Sequence, residues 1–145
     1  GIVKTTVELI RQEATDRNIE IVIFTDENLP LISCDLSRVK QALLNLLVNA
    51  MDASIDGDTI TITTEAEASY IGISVQDTGQ GIKSDDIEKI FKPFYSTKTR
   101  GSGLGLAIVD RIVKEHGGEI QVDSAINKGT TFTLKFKAEH EYAEA

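Results

Sequence analysis

The chain is 145 residues long, 41% hydrophobic and 26% charged, with a formal net charge of −8. That length makes one domain with a core of its own, the composition is that of an ordinary globular protein, and the acidic balance argues against a nucleic-acid partner, whose binder shows a basic footprint. The single cysteine, Cys34, excludes an internal disulfide and fits a reducing, cytoplasmic setting; no run is apolar enough to span a bilayer and no signal-peptide layout opens the chain, which leaves open whether a longer parent is membrane-anchored.

Val3, Val7, Ile10 and Ala14 are spaced as on a helix running from Val3 to Asp16. Ile19 to Thr25 is β-branched and apolar, and reads as a strand. Asp35 can N-cap the next helix, which runs to about Ala53, and Ile55-Asp56-Gly57-Asp58 is turn chemistry. Thr59 to Glu65 and Tyr70 to Asp77 alternate apolar and polar residues, as the two strands of a hairpin do. A short helix is expected from Ser84 to Phe91, a loop from Phe94 to Gly103, and a second amphipathic helix from Leu104 to His116, stopped by Gly117-Gly118. Strands at Glu119 to Asp123 and Thr130 to Phe136 close the domain, and residues 139–145 read as a polar tail behind a unit spanning 1–138. With its helices on one face of one sheet, the economical fold is a two-layer α/β sandwich.

Asp77 continues the face of Ile71, Ile73 and Val75, so strand alternation turns its carboxylate inward. A buried carboxylate needs donors. Either its own turn supplies them, in Asp77-Thr78-Gly79-Gln80-Gly81, or a ligand such as an adenine amino group does. Thr130 shares a face with Phe132, Leu134 and Phe136, and its hydroxyl meets either backbone or a purine edge. Asn45 and Asn49 lie four apart on one helical face, with Asp52 three further on. They are either helix-surface residues or hard oxygen donors suited to Mg²⁺ and its phosphates. Gly101-Ser102-Gly103-Leu104-Gly105 opens a helix, where free N–H groups and the dipole favour an anion. It is no Walker loop, since no Lys-Ser/Thr follows, and no dinucleotide fingerprint, since no apolar strand precedes it. Lys98 and Arg100, just upstream, are either solvated loop charges or cations for a phosphate tail, the second reading suiting Lys98 better.

Taken in order, these motifs resemble those of sensor histidine kinases. Asn45-Leu46-Leu47-Val48-Asn49-Ala50 is similar to their N box, Asp77-Thr78-Gly79-Gln80-Gly81-Ile82 to the G1 box, Phe91-Lys92-Pro93-Phe94 to the F box and Gly101-Ser102-Gly103-Leu104-Gly105-Leu106 to the G2 box. Gly129-Thr130-Thr131-Phe132 resembles the last glycine motif. The resemblance implies the Bergerat fold, an α+β two-layer sandwich in which about three helices cover one face of a mixed sheet of about five strands. It implies ATP and Mg²⁺ as cofactors, with Asn49 on the metal, Asn45 assisting at metal and phosphates, and Asp77 accepting the adenine amino group. The remaining nucleotide neighbours it implies are Asp52 and Ala53 after the N box; Gly79, Gly81 and Ile82; Phe94, Ser96, Thr97 and Lys98 in a lid; Gly101, Ser102, Gly103, Leu104, Gly105 and Leu106; and Thr130 and Thr131. Many relatives carry Lys and an aromatic residue where this chain has Asp52 and Ala53, which leaves Lys98 as the catalytic cation. That trait and the short lid resemble the nitrogen-regulation and sporulation kinases.

Superfamily ATPases typically place a glutamate base one turn before the metal asparagine. Here that position is Asn45, and an amide cannot take a proton at neutral pH. The expected chemistry is therefore phosphoryl transfer to a protein histidine. Neither His116, before Gly117-Gly118, nor His140, in the tail, lies in the helical motif of a phosphoacceptor. The acceptor is expected on a separate dimerisation domain of the same homodimeric parent, which signals to a response regulator, while this fragment alone is monomeric. The alternative is a regulatory module of the anti-sigma serine kinase type, whose members usually keep the glutamate.

Overall fold

A computed structural model describes residues 2–25, 36–66, 69–92 and 105–137. In chain order the elements are α1 (Ile2–Glu8), α2 (Arg11–Asp16), β1 (Glu20–Phe24), α3 (Leu36–Ala53), β2 (Thr59–Ala66), β3 (Tyr70–Asp77), a 3-10 turn (Ser84–Asp86), α4 (Gly105–Glu115), β4 (Glu119–Ala125) and β5 (Gly129–Lys137). Asp35, the expected N-cap of α3, lies outside the described residues, as do Cys34 and the tail 139–145.

The strands form one mixed sheet in the order β1-β2-β3-β5-β4. β1 and β2 are parallel and every other pair is antiparallel. Parallel neighbours need a long crossover, and the 18-residue α3 lies within it. One sheet face is apolar, through Ile60, Ile62, Ile73, Val75, Phe132 and Leu134. It shares a single core with Val3 and Val7 of α1, Leu43, Leu46 and Leu47 of α3, and Val109, Ile112 and Val113 of α4. The other face is polar: the Ser74 and Thr133 hydroxyls bond across β3 and β5 at 3.0 Å, and the Lys135 ammonium lies 4.6 Å from the Tyr70 ring centre. One dry and one wet face is the usual economy of an antiparallel sheet.

Two expectations change. The helix expected from Val3 to Asp16 is two helices. Ile10 sits at φ −116°, ψ 0°, and the Leu9 and Ile10 N–H groups donate to the Thr6 and Val7 carbonyls three residues back. The buried stripe survives the break, since Val3, Val7, Ile10 and Ala14 are all buried, which is why the periodicity could not reveal it. The helix expected from Ser84 to Phe91 is a single 3-10 turn followed by further turns. Asp86, Lys89 and Lys92 each donate to a carbonyl three residues back, at 2.9, 2.9 and 3.0 Å. Ile90 still reaches the core, and Phe91 meets Phe132 edge to face with centroids 6.3 Å apart.

Phe132 thus joins sheet, helices and the 84–91 turn. Phe132→Ala should cost about 3–5 kcal/mol of unfolding free energy, read from the urea midpoint at unchanged slope. A loss under about 1 kcal/mol would contradict this packing.

Candidate functional site

Asp77 ends β3 on the dry face, in register with Ile60 of β2 on one side and Thr130 of β5 on the other. It is 2% exposed. Its Oδ1 accepts the Gly79 N–H at 2.9 Å and the Thr130 N–H at 3.3 Å. The turn-capping reading of Asp77 is therefore realised. Charge-assisted bonds from fixed backbone donors are what allow an ionised group to sit at such a place.

The backbone around it approaches closely. A Cβ on Gly79 would run into the carbonyl of Ala53, the last residue of α3, and a Cβ on Gly129 would run into the carbonyl of Asp77 itself. Gly129 also adopts φ +113°, a region L side chains avoid. Gly81, at φ +75°, turns the loop beneath the Ala125 carbonyl, where Ile82 packs on the core. The Asn127 N–H, from the β4–β5 turn, donates to the Gln80 carbonyl at 2.8 Å. The end of α3, the loop after β3 and the β4–β5 turn are thus pressed backbone to backbone around one carboxylate.

The turn that follows Ala53 is itself held from outside. Arg17 Nη2 donates to the Ser54 carbonyl at 3.0 Å, Asn18 Nδ2 to Asp56 Oδ1, and the Gly57 N–H to the Asn18 carbonyl at 2.9 Å. The buried Ser54 hydroxyl donates back to Ala50 at 2.7 Å.

On α3, Asn45 and Asn49 are both half-buried and one turn apart. The Asn45 amide spans two neighbours: Oδ1 accepts from Gln41 Nε2 at 2.8 Å, and Nδ2 donates to the carbonyl of Gly105, the first residue of α4, at 3.3 Å. It therefore ties the N-box helix to the helix that follows the second glycine cluster. Arg38 and Glu115 join the other ends of the same two helices. Leu106 packs against the core, and Asp52 and Ala53 lie half-buried at the end of α3. Thr131 is the exception among the expected neighbours. It pairs with Gln76 and Asp123, one residue out of phase with Thr130, so its side chain faces the wet side of the sheet. Phe94, Ser96, Thr97, Lys98, Arg100, Gly101, Ser102, Gly103 and Leu104 lie outside the described residues, as does His140. His116 directly follows α4, with Nδ1 2.7 Å from the Ile112 carbonyl and its ring edge-on to Phe136, which fits a structural helix end.

The sequence reading missed Ser124. β4 runs two residues further than expected, to Ala125, and puts Ser124 in register with Thr130. Its hydroxyl lies 2.8 Å from Thr130 Oγ1 and accepts the Ile82 N–H at 2.8 Å. The signal was present: Ile120, Val122 and Ser124 continue one inward-facing alternation.

Comparison with known proteins agrees with this geometry. Residues 34–140 match the family described as histidine kinase-, DNA gyrase B-, and HSP90-like ATPase. Sensor histidine kinase ZraS of Escherichia coli is 41% identical over 133 residues, covering 92% of this chain and 29% of that protein. Sporulation kinase E of Bacillus subtilis is 36% identical over 134 residues, covering 92% of this chain and 18% of that one. The chain thus spans less than a third of the length of these relatives. The solved catalytic domain of histidine kinase ThkA superposes with a TM-score of 0.87 at 33% identity, covering 97% of this chain and 92% of that one. Histidine kinase ThkA in complex with response regulator protein TrrA gives 0.82 at 30% identity, covering 97% of this chain and 40% of that one. The chain belongs to the histidine kinase-, DNA gyrase B- and HSP90-like ATPase family, within it to the catalytic, ATP-binding domains of sensor histidine kinases.

Proposed function

We propose that this domain holds Mg-ATP between α3, the loop after β3 and the start of α4, and passes the γ-phosphoryl group to a histidine on a separate helical dimerisation domain of its parent. The observation that carries the reading is the buried Asp77 carboxylate beside Thr130. It is an acceptor of hydrogen bonds at the core edge, suited to an exocyclic amino group. Asn45 and Asn49 are half-buried on α3, the helix whose last residue, Ala53, meets the loop after β3 at Gly79. The donor set fits a magnesium ion. Neutral amide oxygens are hard ligands, and Mg²⁺ prefers one or two protein ligands with phosphate oxygens and water completing the shell. Asn49 would hold it, with Asn45 beside it, and the ion would neutralise phosphate charge.

The roles of this chain's own groups follow. Asp77 orients the base, and Gly79 and Gly81 shape the loop beside it by letting its backbone pack against the Ala53 and Ala125 carbonyls. Lys98 supplies the cation at the phosphates, and Phe94, Ser96, Thr97 and Gly101 to Leu104 cover them. At Asn45 an amide stands where a base would activate water, so positioned transfer outruns hydrolysis. The unit that does this is residues 1–138, with 139–145 a polar tail. It acts at the cytoplasmic side in a homodimeric parent whose response regulator receives the signal, as TrrA pairs with ThkA. The anti-sigma serine kinase reading is disfavoured by Asn45.

Labelled ATP mixed with this chain and the phosphoacceptor domain of its parent should place acid-labile phosphate on that domain alone. Label retained on His116 or His140 would overturn the assignment. In the absence of an acceptor, steady-state hydrolysis should fall well below about 1 s⁻¹, the lower end of ordinary enzyme turnover. A rate at or above that value would return the site to the ATPases.

A further inference from the structure

Ser124 sits behind the proposed adenine pocket, and its hydroxyl has three partners. It accepts the Ile82 N–H at 2.8 Å, donates to the Gly129 carbonyl at 3.1 Å and lies 2.8 Å from Thr130 Oγ1. A serine hydroxyl has one proton and two lone pairs. The Ile82 N–H takes one lone pair, and the Gly129 carbonyl, which can only accept, takes the proton. Either hydroxyl could donate in the Ser124–Thr130 contact taken alone; with the other two bonds made, it is Thr130 that donates to the second lone pair of Ser124.

That accounting fixes the sense of Thr130. Its proton points back to Ser124, so only lone pairs of Oγ1 remain for a neighbour on the Asp77 side. Asp77 and Thr130 face each other in register, are 2% and 5% exposed, and are joined by the Thr130 N–H to Asp77 Oδ1 bond. An ionised carboxylate is likewise acceptor-only. The two side chains together make a wall that accepts and does not donate.

We infer that Ser124 is the positioning residue that sets base specificity, by locking Thr130 as an acceptor so that the wall takes a 6-amino purine and rejects a 6-oxo one. The inference rests on the nucleotide reading above. An amino group at C6 brings two N–H donors to two acceptors. A C6 carbonyl sets an oxygen against oxygens, and polar groups left unpaired in a buried site are heavily penalised. Ser124 touches no nucleotide in this arrangement; it acts through Thr130.

The test is calorimetric titration of the whole chain with Mg-ATP and, separately, with Mg-ITP. The unaltered protein should prefer ATP. In Ser124→Ala the Thr130 proton is released to turn toward the base and donate to the C6 oxygen, so the ATP-to-ITP preference should fall about 10-fold. Ser124→Thr, which keeps the hydroxyl, should retain the preference. Ser124→Cys keeps the shape with a feeble donor and acceptor, and should move the ratio as alanine does, which covers the case in which the alanine variant fails to fold. An equal loss of affinity for both nucleotides in the folded variants would make Ser124 a structural residue only and overturn the inference, while the ATP reading stands. Failure of the unaltered protein to bind ATP would sink both.

Discussion

The domain is organised around one buried carboxyl group. Asp77 loses its water at the end of β3, and two backbone N–H groups replace it, one from the turn it caps and one from β5. Backbone donors reach it only if the chain approaches without side chains between, and glycines at 79 and 129 provide that. A side chain at 79 would collide with the end of α3, and one at 129 with the backbone of β3. Sheet register, helix length and turn geometry therefore have to agree at this point.

The rest of the fold serves that agreement. β3 is flanked by β2 and β5, so the position of Asp77 is set by strand pairing on both sides. α3 is buried along Leu43, Leu46 and Leu47, which fixes its rotation and hence the face carrying Asn45 and Asn49. Its end is gripped by Arg17 and Asn18, from the turn between α2 and β1. Asn18 takes a positive φ of 53° to do so, a conformation asparagine tolerates better than most residues. Arg17 and Asn18 thus help to place the end of α3 from outside the sheet. α4 is aligned at its start by Asn45 and along its length by the core, so the residue we propose in the place of a base is also a structural tie between helices.

Alternation in β3 and β5 made the inward directions of Asp77 and Thr130 legible, because strand period 2 is exact and each face has one solvent. The helical stripe of α3 was equally plain. What escaped depends on contacts between distant segments. The break at Ile10 left the apolar stripe intact, and nothing local marked it. The 84–91 turns share their apolar spacing with a short helix and differ only in bond pattern. Thr131 was carried along with Thr130 by its motif, although the same alternation sends it to the wet face. Ser124 lay in view on an inward face, yet its meaning needs Ile82, Gly129 and Thr130 around it, and those are brought together only by the β4–β5 register and the glycine-packed loop.

The claim that Asp77 is the group that reads the nucleotide is tested most directly by Asp77→Asn. The two N–H groups that bond Oδ1 will hold the amide oxygen in its place, which leaves the amide NH₂ facing the site where the adenine amino group would bind. Donor then meets donor. Calorimetry with Mg-ATP should show affinity reduced at least about 10-fold, a loss of one charge-assisted hydrogen bond, in a variant whose urea midpoint shows it folded. An unchanged dissociation constant in the folded variant would contradict the account.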